Sequence, residues 1–125
     1  MKVFIASILL LPLFLMGCGP RASRHPVNIF YQGEPVEIEM DHFFFKPNHL
    51  AVLENRSPII LHLKNSDGVL HNFTLMAPDR SIVLSQDLKP KESIMADIGI
   101  PGPGNYASYC FLHRHRGMEG MLMVD

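Results

Sequence analysis

Cys110, His113 and Met118 place a thiol, an imidazole and a thioether within nine residues of one another near the end of the chain. A further imidazole, His71, follows the turn sequence Asn65-Ser66-Asp67-Gly68. Two imidazoles and one thiolate with a weak axial thioether make a donor set that serves both Cu(I) and Cu(II), because a soft sulfur is mixed with borderline nitrogens. The chemistry such a set performs is single-electron transfer. Its positions are all filled by protein, whereas a catalytic metal site keeps one open for water or substrate. The spacing also has a mechanical logic. Cys110 ends one expected strand, His113 lies on the turn and Met118 starts the return, so three donors on a tight loop converge on one point. The fourth must come from a neighbouring strand, and His71 stands where one begins. Gly117 and Gly120 flank Met118 and leave the backbone free to bend. His115 competes with His113 as the loop imidazole, but the span from His115 to Met118 is short, and closure through His113 is simpler.

Short alternating segments position these donors. Val36, Ile38 and Met40 alternate with Glu37, Glu39 and Asp41, the pattern of a half-buried strand. Phe43 to Phe45 ends at Lys46-Pro47, where proline stops a ladder. Leu50–Leu53, Ile59–Lys64, His71–Met76, Ile82–Leu84, Ser93–Ile98, Tyr106–Cys110 and Met121–Val124 read as further strands. The turn sequences Asn65–Gly68 and Pro101–Gly104 separate some of them. Ten prolines and nine glycines supply frequent turns, and no helical stripe runs over three turns. Seven to eight short strands predict an all-β sandwich.

From about Glu34 to Asp125 the chain resembles the cupredoxins, small blue copper proteins of the plastocyanin and pseudoazurin type. The likeness rests on His71-Asn72-Phe73, on Pro103–Cys110 leading into the loop, on the C-x-x-H-x-x-x-x-M spacing of Cys110, His113 and Met118, and on Gly117-Met118-Glu119-Gly120. It implies a Greek-key β-sandwich, one copper ion held by His71, Cys110, His113 and Met118, and redox proteins as donor and acceptor. Two departures stand out. Members of the family often carry Ser or Thr after the Cys, hydrogen-bonded to the Asn after the first His, and often Pro before the second His. Here those positions are Phe111 and Leu112, which leaves Asn72 without that partner.

The amino-terminal segment reads as an address. Met1-Lys2 precedes an almost wholly apolar run from Val3 to Met16, shorter than a membrane-spanning helix needs and suited to an export signal. Leu15-Met16-Gly17-Cys18 resembles the bacterial lipobox, which implies that Cys18 is lipidated and anchors the protein to a membrane. The expected organisation is a signal peptide over 1–17, lipidated Cys18 with a flexible tether over 18–33, and a copper-binding domain over 34–125. Localisation follows: exported, lipid-anchored, facing the periplasm or the cell exterior. Cys18 is then unavailable to Cys110, and the lone thiol left in an oxidising compartment is explained by metal ligation.

The formal net charge of −1, with no Lys/Arg stripe, gives no footprint for nucleic acid. A monomer is expected. Arg114 and Arg116 beside His113 read either as a steering patch for an acidic redox partner or simply as a solvated loop. Met121 and Met123 read as core filling, His25, His42, His49 and His62 as structural or surface residues, and the Glu34, Glu37 and Glu39 stripe as a solvated strand face. Copper delivery for storage, resistance or oxidase loading is the alternative function, supported by His115 and the late methionines. An enzymatic domain like those of copper oxidases and nitrite reductases is not expected, because those need further ligands and domains.

Overall fold

The computed structural model describes residues 26–31, 33–53 and 58–125. Cys18 and the signal segment lie outside the described residues. Ten strands form among those described: β1 Asn28–Tyr31, β2 Val36–Asp41, β3 Phe44–Lys46, β4 His49–Leu53, β5 Ile59–Asn65, β6 His71–Met76, β7 Ile82–Leu88, β8 Ser93–Ile98, β9 Gly104–Tyr109 and β10 Glu119–Val124. A single 3₁₀ turn, Arg114–Arg116, interrupts them.

The strands make two sheets, one ordered β1-β4-β10-β9-β6-β7 and the other β3-β2-β5-β8. The chain passes repeatedly between them, which is the β-sandwich that the turn-rich pattern predicts. The count exceeds seven to eight because β1 escaped the pattern. β3, a three-residue strand paired with β2, lies on the short segment expected over Phe43–Phe45. β1 pairs in parallel with β4 from Asn28 to Tyr31, within the segment assigned by sequence to a tether. Its side chains are exposed or half-buried, so it lacks the apolar alternation that marks the interior strands.

The core forms where alternating faces meet. Val36, Ile38 and Met40 of β2, with Leu61 and Leu63 of β5, face Phe73 and Leu75 of β6, Tyr106 of β9 and Leu122 of β10, all buried. Phe45 and Phe73 join the sheets edge to face at 5.3 Å, a geometry that adds to their area burial. β6 departs from simple alternation: all its residues from His71 to Leu75 are buried. One face carries His71, Phe73 and Leu75, while Asn72 and Thr74 on the other are covered and hydrogen-bonded. Gly120 marks the closest backbone approach, since a Cβ there would lie 2.2 Å from the Asn48 carbonyl oxygen.

Candidate metal centre

The loop from Cys110 to Met118 is closed by its own backbone. The Cys110 N–H donates to the Met118 carbonyl at 3.0 Å and the His113 N–H to the Cys110 carbonyl at 3.1 Å. The His113 carbonyl accepts from Arg116 at 2.9 Å, opening the Arg114–Arg116 turn. Gly117 ends that turn at φ 84°, in the left-handed region that glycine enters without a Cβ penalty. Cys110 and Met118, at the two ends of the loop, are both fully buried.

His71 reaches the same place from β6. Its preceding turn is held by the buried Asn65 amide, which donates to the carbonyls of Val69, Leu88 and Lys89 at 2.8–3.0 Å. The Asn65 carbonyl oxygen accepts the Asp67 N–H at 2.9 Å. The turn is thereby fixed to the end of β7, and His71 starts its strand in a defined place with its side chain fully buried.

The result is a convergence of lone pairs. His71 Nδ1 lies 3.2 Å from His113 Nδ1, and Cys110 Sγ lies 3.5 Å from the same His113 atom. The three donor atoms are all within 4.8 Å of one another. His71 Nε2 is paired at 3.0 Å with Asp67 Oδ2. With Nε2–H donating to the carboxylate, Nδ1 keeps its lone pair toward the cluster, which is how a ligating imidazole is ordinarily oriented. The separations fit one ion bonded at about 2.0–2.3 Å to nitrogen and sulfur. The donors themselves, one thiolate and two imidazoles, are those of an electron-transfer copper site.

Electrostatics agree with a cluster held ready for a cation. Burial lowers the pKa of His113 below its usual value, and positive charge on His71, His115 and Arg116 adds to this. The neutral, ligand-competent imidazole is therefore favoured. The hydrogen bond from His71 holds the Asp67 carboxyl below the usual range, helped by the Gly68 N–H.

The structure brings together His71, Cys110 and His113 and leaves His115 outside: it is exposed on the 3₁₀ turn. Met118 is buried between Gly117 and β10, with its backbone tied to both Cys110 and His113. Cys110 is free and buried. Asn72 keeps the position expected of it, and its N–H donates to Cys110 Sγ at 3.3 Å. The hydroxyl missing at Phe111 is replaced from elsewhere. The Asn72 amide donates to Asp87 Oδ1 at 2.8 Å and to Ser85 Oγ at 3.3 Å, and its carbonyl accepts from Thr74 Oγ1 at 2.5 Å. Phe111 itself is 56% exposed.

Two contributors escaped the sequence reading. Asp67 appeared only as a turn residue, and Phe43 only as part of an apolar strand. Phe43 lies edge-on to His113 at 4.8 Å and to His71 at 5.8 Å. No local signal identifies it, because its turn is 28 residues from His71 in the chain.

No family model matches the chain, and no curated protein matches it in sequence. Solved structures do match in shape. Dithionite-reduced auracyanin from Roseiflexus castenholzii aligns with a TM-score of 0.64 at 20% identity, over 73% of this chain and 96% of that one. Auracyanin A, a "blue" copper protein from Chloroflexus aurantiacus, aligns at 0.61 with 18% identity, over 74% and 98%. A copper-containing nitrite reductase from Thermus scotoductus aligns at 0.55 with 19% identity, over 74% of this chain but only 22% of the enzyme. These likenesses establish the fold as the cupredoxin-type β-sandwich.

Proposed function

We propose that this protein is a type-1 copper electron carrier, in which His71, Cys110, His113 and Met118 would hold the ion. The observation that carries the reading is the convergence of His71 Nδ1, His113 Nδ1 and Cys110 Sγ. A bound copper ion supplies a one-electron couple between Cu(I) and Cu(II). The chain does the rest. Asp67 and the Asn72 N–H fix the imidazole and the sulfur, the closed 110–118 loop keeps the donors from rearranging, and burial of Cys110 and Met118 excludes water. Four protein donors leave no substrate position, which supports a carrier rather than an enzyme.

His113 is the less buried imidazole, and around the loop Leu70 and Phe111 are exposed at 43% and 56%. Arg114 and Arg116 add positive charge beside this apolar surface, which suits an acidic redox protein. In this reading Cys18 carries the lipid that holds a monomeric domain at a membrane surface, facing the periplasm or cell exterior. Copper delivery is the competing role.

Two measurements on the copper-loaded protein separate these roles. An electron carrier shows a reversible one-electron couple and retains its copper when mixed with an apo-acceptor. Ready transfer of copper to the acceptor, with no reversible couple, contradicts the proposal.

A further inference from the structure

The β2–β3 hairpin turns through His42 and Phe43, between the paired residues Asp41 and Phe44. Both turn residues have positive φ, 49° and 64°. A two-residue turn of this hand ordinarily takes Asn or Gly, and a phenylalanine in the left-handed region is a conformational outlier. Such outliers persist only where the surroundings over-determine them. Here the surroundings do so from two sides. The His42 N–H donates to Asp67 Oδ2 at 3.1 Å, and the same oxygen holds His71 Nε2 at 3.0 Å. The Phe43 ring lies against the His71 and His113 rings at 5.8 and 4.8 Å, with the Arg116 guanidinium 3.7 Å from its centroid.

One carboxylate oxygen therefore joins a candidate metal ligand to the strained turn, and the turn lays an aromatic ring across both imidazoles. We propose that Asp67 is a positioning residue that holds Phe43 as a lid over the His71–His113 pair, so that the lid governs how fast metal and small reagents reach the cluster. The inference rests on the copper reading for its metal arm and is independent of it for the cluster's thiol. A lid of this kind favours retention of copper and opposes delivery.

Two rates test it in the full chain and its variants. The first, in metal-free protein, is the reaction of Cys110 with the aromatic disulfide DTNB. The thiolate attacks one sulfur, forms a mixed disulfide and releases one thionitrobenzoate, which is read by its colour. Because Cys18 carries a thiol wherever it is not lipidated, Cys18→Ser is the common background. The second rate is capture of Cu(I) by the chelator bathocuproine disulfonate.

Phe43→Ala and Asp67→Ala are each expected to raise both rates roughly tenfold, as a modest shift in a local opening equilibrium does. Phe43→Leu should restore much of the protection. The double variant Asp67→Ala/Phe43→Ala should be no faster than either single one, because Asp67 acts through the ring. Unchanged rates in Phe43→Ala overturn the lid, and multiplied effects in the double variant overturn the coupling. Phe43 is half-buried and belongs to no core cluster, so its variants decide the lid even if Asp67→Ala fails to fold. If the protein takes up no copper, the copper reading fails alone and the thiol rate still decides the lid.

Discussion

His71 Nδ1 and His113 Nδ1 face each other at 3.2 Å across 42 residues of chain. With His71 Nε2 engaged by Asp67, its Nδ1 lone pair can accept a proton from His113 Nδ1 in one hydrogen bond. The same two nitrogens and the Cys110 sulfur, 3.5 Å from one of them, are equally placed to share one cation in place of that proton.

The polar network behind the sulfur carries stability as well as geometry. Thr74 is buried and its hydroxyl donates to the Asn72 carbonyl oxygen. Thr74→Val leaves that oxygen without this donor in a dry environment, and should cost about 1–3 kcal/mol in urea unfolding. The same variant loosens the Asn72 N–H against Cys110 Sγ, so the reduction potential of the copper form should shift with it. An unaltered potential would place the network outside the site's control.

Gly120→Ala should be among the most damaging single changes near the loop. The added Cβ meets the Asn48 carbonyl oxygen at 2.2 Å and Ser108 Oγ at 2.9 Å. The first of these is backbone, which cannot swing away. Forced overpacking of this kind costs about 1–3 kcal/mol or more. Gly117→Ala meets no atom within 4 Å and is strained only by its φ of 84°, so it should cost less. Comparing the two unfolding midpoints checks the ranking.

Acid should weaken the β2–β3 hairpin. Lys46 Nζ lies 2.7 Å from Asp41 Oδ2 and His42 Nδ1 lies 2.6 Å from Oδ1. The hydrogen bond from Lys46, then that from His42, lower the Asp41 pKa from 3.8 to about 2. A carboxyl depressed in the fold contributes stability that is complete above its unfolded value and is lost as pH falls through the folded one. The loss therefore falls between about pH 4 and 2. Lys46, raised chiefly by Asp41, contributes in the opposite sense and loses its share above its usual value. Lys46 is half exposed and Asp41 partly so, and solvent screening keeps the effect small. Asp41→Asn should flatten the acid limb of an unfolding-against-pH curve, and a limb of unchanged slope would show that other carboxyls dominate it.

Charge beside His113 should steer the redox partner unequally between the two arginines. Arg114 Nε is 3.3 Å from Glu119 Oε2 and is partly neutralised, whereas Arg116 stacks on Phe43. Arg116→Glu should slow association with an acidic electron donor or acceptor several-fold at low salt, and more than Arg114→Glu does. The difference should shrink as ionic strength rises. Equal, salt-independent rates would remove steering.

Much of this was legible in the sequence because the relevant patterns are local. The Cys110-to-Met118 loop carries its own spacing, and strands such as β2 and β5 show their buried faces by alternation of period two. What escaped the reading depends on pairing between distant segments. β1 has no apolar alternation and reads from sequence as part of the tether. Asp67 and Phe43 act on the site only once the sandwich sets the β2–β3 turn against the turn before β6. The partners of Asn72 come from β6 and β7 rather than from position 111, so the loss of a hydroxyl there could be read from sequence but its replacement could not.

The most direct test is the visible absorption spectrum of the detergent-solubilised protein after addition of Cu(II). If His71, Cys110 and His113 share one copper ion, a strong thiolate-to-copper charge-transfer band appears, disappears in Cys110→Ser and survives in His115→Ala. A folded protein that shows no such band, or whose band is lost with His115 and kept without His113, contradicts the assignment.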